Sequence, residues 1–306
     1  MSDVHIRAAQ EGSEELVKKA FAYFQSRDVN AVLIAGDIAD RGLKEELRLC
    51  SAAWNDVFPT GSGVRPLFIY GNHDWEGWKY GLKKDAPMPP EFAAEKLVST
   101  DAAAAWREFQ NEEYEPIQLK EVNGFKFVLC QTVALKAKDW KPFLAAHGEE
   151  LRREKVFFYA QHSHLRGTCS APWVWGQDGG GSTKALSRFP NCVAFSGHSH
   201  TPLTDERAVW KDEFISIGTA SMTNMSYLPG RENSGWGVKD PMQAELSGKH
   251  GCHAQLVSVY DDALVIERRS VDFSDERAKI GDDWVVPLGK GIPWTFEERA
   301  AKSVAP

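Results

Sequence analysis

The sequence predicts an α/β protein in which a mixed sheet packs on a more parallel one, with helices outside. Three observations carry this. Short β-rich runs alternate with amphipathic helical stretches in the first half, hairpin signals dominate the second half, and five short polar motifs each follow a predicted strand. Strand, helix, strand in that rhythm implies parallel pairing through right-handed crossovers.

Taken in order, residues 14–25 set Leu16, Val17, Ala20, Phe21 and Phe24 on one helical face, with Ser13 placed to cap it. Asp28 and Asn30 mark a turn, and residues 31–35 form a short buried strand ended by Gly36. Residues 43–54 read as a second amphipathic helix and 66–70 as a second buried strand, ended by Gly71. The stretch 75–109 reads as an insertion, with Pro87, Pro89 and Pro90 ahead of an alanine-rich helix. Asn123-Gly124, between strands at 117–122 and 125–133, is the strongest hairpin signal in the chain. Residues 156–161 and 192–196 read as strands, with a short helix at 183–189 between them. Two more hairpins are expected, 208–211 with 214–217 and 254–260 with 263–268.

The composition narrows the function classes. A hydrophobic fraction of 42% and a charged fraction of 26% over 306 residues are those of an ordinary globular protein. The longest apolar runs fall well short of the roughly 20 residues of a membrane-spanning helix, so no span is expected. A net charge of −7 leaves no basic surplus for gripping nucleic acid. Five scattered cysteines without C-x-x-C spacing read as buried thiols, with a Cys169–Cys192 disulfide conceivable only in an exported protein. Only two residues precede Asp3, so the strand that should lead into it is expected to be truncated. One domain is expected over residues 1–290, with 291–306 as a tail or the start of a linker.

The five motifs carry the chemistry: Asp3-Val4-His5, Gly36-Asp37-Ile38-Ala39-Asp40-Arg41-Gly42, Gly71-Asn72-His73-Asp74, Gln161-His162-Ser163-His164 and Gly197-His198-Ser199-His200. Loops after the carboxyl ends of strands converge on one crevice in open α/β sheets. Carboxylate, amide and imidazole delivered there together suit first-row metals rather than calcium or a closed thiolate zinc site. Singly, each motif has a plainer explanation: a shared strand face for Asp3 and His5, a tight turn for Gly71-Asn72, a satisfied histidine for His162. All five in order, each after a strand, are not explained by chance turns.

These blocks resemble the calcineurin-like metallophosphoesterase family, whose signature is D-x-H, GDxxDxG, GNH[DE], a lone histidine and GHxH. The match runs from Asp3 to His200. The resemblance implies a four-layer α/β/β/α sandwich of two mixed sheets flanked by helices. It also implies two divalent or mixed-valence metal ions, with manganese, iron and zinc all suited to the ligands. By position, Asp3, His5, Asp37 and His200 would ligate the first metal, Asp37 would bridge, and Asn72, His162 and His198 would complete the second. His73 would be a non-ligand acid facing the scissile ester, oriented by Asp40, and Arg41 and Asn72 would contact substrate. His164 is the reserve for His162.

The implied reaction is hydrolysis of a small phosphate ester, a diester before a monoester, by a hydroxide bridging the metals. Asp40 stands where purple acid phosphatases carry a metal-binding tyrosine, so no charge-transfer colour is expected. A catalytically inactive scaffold of the same fold and a nuclease of the same superfamily are the alternatives. The complete ligand set counts against the first and the acidic balance against the second. Substrate choice is assigned to residues 75–80 and 168–181, with Trp173 and Trp175 as rim aromatics or as packing beneath the loops.

Overall fold

Helix α1 (Glu15–Ser26) buries the predicted apolar face through Val17, Ala20, Phe21 and Phe24. It packs with α2 (Lys44–Val57) and α4 (Ala102–Gln110) over β1 (Ala31–Ala35) and β2 (Arg65–Ile69). Phe21, Trp54, Phe58 and Phe68 form an aromatic knot there, with ring centroids 4.4 to 6.2 Å apart. Ser13 does not cap α1. Its hydroxyl accepts from the Arg7 N–H at 3.0 Å and donates to the Arg7 carbonyl at 2.9 Å, closing a loop instead.

This computed structural model describes residues 1–83, 87–132, 135–152, 155–170, 176–226, 252–270 and 279–288. The predicted tail at 291–306 and the rim residues Trp173 and Trp175 lie outside them.

The larger sheet has six strands in the order β3-β4-β5-β6-β8-β7. These are β3 (Ile117–Val122), β4 (Phe125–Cys130), β5 (Phe157–Ala160), β6 (Cys192–Ser196), β7 (Val209–Lys211) and β8 (Ile215–Gly218). Its centre is parallel and its two outer pairs are antiparallel, so the sheet is mixed. At the β3–β4 turn, Asn123 and Gly124 both take positive φ, 49° and 73°, the backbone twist that a two-residue hairpin demands.

The facing β layer comes in two pieces. One is the parallel pair β1-β2, and the other an antiparallel triplet of β9 (His253–Val259), β10 (Ala263–Ser270) and β11 (Trp284–Pro287). Leu67, Ile69, Leu129 and Ala160 join the pair to the large sheet, and Val193, Ile217, Leu264, Ile266 and Val286 join the triplet to it. On the outer face of the large sheet, Tyr159, Val128 and Ala194 pack against Trp140 of α5 (Ala137–Leu151) and Leu186 of α6 (Gly181–Leu186). Four layers result: helices, the divided sheet, the six-stranded sheet, helices.

Residues 1–6 run beside the end of β1. Ala35 N–H donates to the Met1 carbonyl at 2.9 Å, Asp3 N–H to Gly36 at 2.9 Å, and Ile6 N–H to Ile38 at 2.9 Å. Asp3 is therefore anchored by backbone pairing, and the buried Met1 ammonium donates to the Leu33 carbonyl at 3.2 Å. Burial pulls that amine down to about 5. The five cysteines are buried, and none forms a disulfide. Among the described residues, no helix is long and apolar enough to cross a membrane.

Candidate metal centre

The predicted ligands come from five chain segments and meet where the β strands end. Short helix α3 (Asn72–Glu76) begins at β2, His162 follows β5, and His198 and His200 follow β6. Three groups of donors have atoms within 4.8 Å of one another: Asp3, His5 and His200; His5, Asp37 and His73; and Asp37, His162 and His198. Asp37 and His5 each belong to two of them. His200 Nε2 lies 3.0 Å from Asp3 Oδ1, and His162 Nε2 lies 3.0 Å from Asp37 Oδ2. His198 Nδ1 stands 3.1 Å from His162 Nε2, and His5 Nε2 stands 3.4 Å from His200 Nε2.

The backbone is bent to make this possible. Asp3, His5, Asp37, His198 and His200 all take positive φ, between 49° and 72°. Such conformations cost about 1–3 kcal/mol each and persist where the surroundings over-determine them, typically at functional sites. The glycines of the motifs serve close approach: a Cβ on Gly71 would overlap Asp37 Oδ1, and one on Gly197 would overlap Ser2 and Asp3.

Three of the histidines are aimed from behind. The Nδ1–H of His162 donates to the Ala35 carbonyl at 2.8 Å, that of His200 to Asn224 at 2.9 Å, and that of His73 to Asp40 at 2.8 Å. His5 Nδ1 lies 3.4 Å from Asp40 Oδ1. In His162 and His200 the carbonyl on Nδ1 fixes the tautomer, so that Nε2 faces inward with its lone pair, as metal-binding histidines require.

Electrostatics reinforce the arrangement. Burial pushes the Asp3 carboxyl up, but His200, His162 and His5 outweigh it and hold Asp3 well below the usual carboxylate range. Asp37 is likewise lowered, against its burial, chiefly by His162. Burial pulls His162 down, yet Asp37 and Asp3 bring it up to about 9. His198 is lowered to about 4 by burial and by His162. The two buried carboxylates thus raise His162 and His200 and leave His198 neutral near pH 7.

A metal pair suits these residues. Asp3 Oδ1 and Asn72 Oδ1 are buried without hydrogen-bond partners, a costly condition unless a cation satisfies them. Asn72 is held beside Asp37, since the next N–H, that of His73, donates to Asp37 Oδ1 at 2.8 Å.

Other predicted residues take more particular places. The Asp40 carboxylate is 3.9 Å from His73 Nδ1 but nearer to Arg41 Nε at 3.1 Å, Arg7 Nε at 3.2 Å and His5. Arg41 points its Nη1 at the Tyr80 carbonyl, 2.7 Å away. His164 lies outside the three donor groups, and its ring nitrogens meet the hydroxyls of Ser196 at 2.8 Å and Ser199 at 2.5 Å. Of the expected rim, Trp75 packs inward against Tyr70 and Tyr114, and Tyr80 stacks on His73 with centroids 4.5 Å apart.

Asp74, fully buried, is the residue that sequence reasoning left without a role. Its carboxylate accepts from Gly71 N–H and Ala39 N–H, each at 2.7 Å, and from Ile38 N–H at 3.3 Å. It locks the Gly36–Gly42 and Gly71–Asp74 loops together. The signal was present as the acidic residue three positions into α3, where a carboxylate bonds the preceding backbone.

Comparison with known proteins agrees with this geometry. The sequence model of the calcineurin-like phosphoesterase family matches residues 1–202. Among solved structures, a dimetal phosphatase from Danio rerio superposes with a TM-score of 0.53 at 12% identity, covering 94% of this chain and 98% of that one. A purple acid phosphatase from yellow lupin (Lupinus luteus) gives 0.52 at 14% identity, covering 94% of this chain and 52% of that one. GAP50, the anchor in the inner membrane complex of Plasmodium, gives 0.53 at 10% identity, covering 100% and 93%. No relative was found among curated protein sequences. Fold and donor set define a metal-dependent hydrolase of phosphate esters. The chain belongs to the calcineurin-like phosphoesterase family, whose centre is a pair of divalent metal ions.

Proposed function

We propose that the chain hydrolyses phosphate diesters in preference to monoesters, with Asp3, His5, Asp37 and His200 holding one metal ion and Asp37, Asn72, His162 and His198 the other. The observation that carries this is the convergence of Asp3, Asp37 and four imidazoles, two of which, His162 and His200, are buttressed from behind through Nδ1. When bound, the two ions would supply a bridging hydroxide near neutral pH and neutralise the phosphoryl oxygens.

The chain's own residues do the rest. His73, in the donor group with His5 and Asp37, has Nδ1 held by the Asp40 carbonyl, which leaves Nε2, when the ring is protonated, to donate a proton to the leaving oxygen. Burial lowers the His73 ring below the usual imidazole value, and the carboxylates of Asp37 and of Asp40, the latter 3.9 Å away, oppose that shift. The preference for diesters follows from charge. Two cationic side chains near the site, Arg7 and Arg41, both lie within 3.2 Å of Asp40. With these cations engaged, the single negative charge of a diester is easier to accommodate than the double charge of a monoester. The role of Arg41 as a phosphate contact would require it to leave Tyr80.

The test is hydrolysis of bis(p-nitrophenyl) phosphate and p-nitrophenyl phosphate by chelator-stripped protein supplied with Mn²⁺, Fe²⁺ or Zn²⁺. A higher kcat/KM for the diester supports the proposal, and a higher value for the monoester overturns the preference. A partner-binding scaffold is the second reading, since the Plasmodium neighbour is described as an anchor. Absence of turnover with any of the three metals would favour it.

A further inference from the structure

We infer that Tyr80 is a positioning residue for the metal centre: its hydroxyl sets which way the Asn72 side-chain amide faces, and so presents Asn72 Oδ1 to the second metal ion. The inference rests on the two-metal reading above and adds a residue that no motif marks. Asn72 Nδ2 donates to Tyr80 Oη at 2.9 Å, while Asn72 Oδ1 is buried with no hydrogen-bond partner. An amide has one acceptor end and one donor end. Fixing the donor end on a phenol leaves the acceptor end as the only one available to a cation. Without that anchor the amide can turn its N–H groups inward, where they repel a metal.

Tyr80 is itself held in place from two sides. Its ring stacks on His73 at a centroid distance of 4.5 Å and an interplanar angle of 29°. Its carbonyl accepts from Arg41 Nη1 at 2.7 Å, and the same Nη1 lies 3.4 Å from the Gly77 carbonyl. Arg41 Nε in turn lies 3.1 Å from Asp40 Oδ2. A chain of contacts therefore runs from Asp40 through Arg41 to the turn that carries Tyr80, and from Tyr80 to both Asn72 and His73. Partners of this outer kind typically govern metal affinity by about 10–100-fold.

The experiment is calorimetric titration of Co²⁺ into chelator-stripped wild type, Y80F, N72D and the N72D/Y80F double variant. Y80F keeps the ring stack and removes only the acceptor. The wild type is expected to bind two ions, and Y80F to bind one of them about 10–100-fold more weakly with the other unchanged. In the N72D background the Y80F loss should vanish, because a carboxylate offers an oxygen in either orientation, a coupling that a double-mutant cycle isolates. Equal affinities in wild type and Y80F overturn the inference. So does a Y80F loss that persists in the N72D background, which would mark a merely structural role. Failure of the wild type to bind two ions would sink the two-metal reading itself and the inference with it.

Discussion

The Nδ1–H of His162 donates to the carbonyl oxygen of Ala35 at 2.8 Å. The last residue of β1 thereby aims a histidine that follows β5, two strands in different sheets. The site is built from strand ends in this way, and its ligands are only as well placed as the packing between the two β layers.

Because Asp37 belongs to two donor groups and His162 to one, their removal should differ. Metal content after dialysis against Mn²⁺ is expected to fall from two ions to about one in His162→Ala, and to below one in Asp37→Ala. Retention of two ions by Asp37→Ala would show that this carboxylate does not bridge.

His73 should prove dispensable for metal. His73→Ala is expected to lower kcat by about 10²–10⁴-fold, the usual worth of general acid catalysis, with both ions retained. Loss of an ion instead would make His73 a ligand, which its place in the group with His5 and Asp37 would permit.

Asp74→Ala removes the acceptor of three backbone N–H groups, those of Gly71, Ala39 and Ile38. Leaving buried donors unpaired costs about 1–3 kcal/mol each, so destabilisation on the order of 3 kcal/mol is expected in urea. Metal affinity should fall with it, since the clamp holds the Asp37 and Asn72 loops together. An unchanged urea midpoint would show that the loops hold without it.

Glu46 gives a pH dependence away from the metal site. It is buried, its Oε2 accepts from Arg41 N–H at 2.9 Å and Leu43 N–H at 3.1 Å, and burial raises its carboxyl from 4.5 to about 7. The folded form therefore holds a proton that the unfolded chain has already released, and stability falls as pH rises from about 4.5 to 7. Glu46→Gln keeps an oxygen for both N–H groups and should remove this slope, gaining on the order of 1–3 kcal/mol at pH 8. Urea midpoints at pH 5 and pH 8 measure it; parallel changes in both proteins would contradict the assignment.

Much of this was legible in the sequence because it is local. The apolar stripe of α1, the runs of β1 and β2 and the Asn123-Gly124 turn are short-range signals, and each lies within a few residues of its expected place. The motif residues could be listed for the same reason. Helix α5 was missed because Pro142 interrupts it, even though Asp139 accepts from the Lys136 N–H at 2.8 Å at its start. Strand β11 is only four residues long and has Trp284 and Val286 as its inward face. The pairing of Tyr80 with Asn72 and the distance of Asp40 from His73 depend on how loops fold back, and no spacing encodes that.

The most direct test of the two-metal phosphoesterase is a single titration. Mn²⁺ is added stepwise to chelator-stripped protein while hydrolysis of bis(p-nitrophenyl) phosphate is followed. Activity that stays low through the first equivalent and rises with the second is the expected result. Activity complete at one equivalent, or absent at any, would contradict the binuclear account.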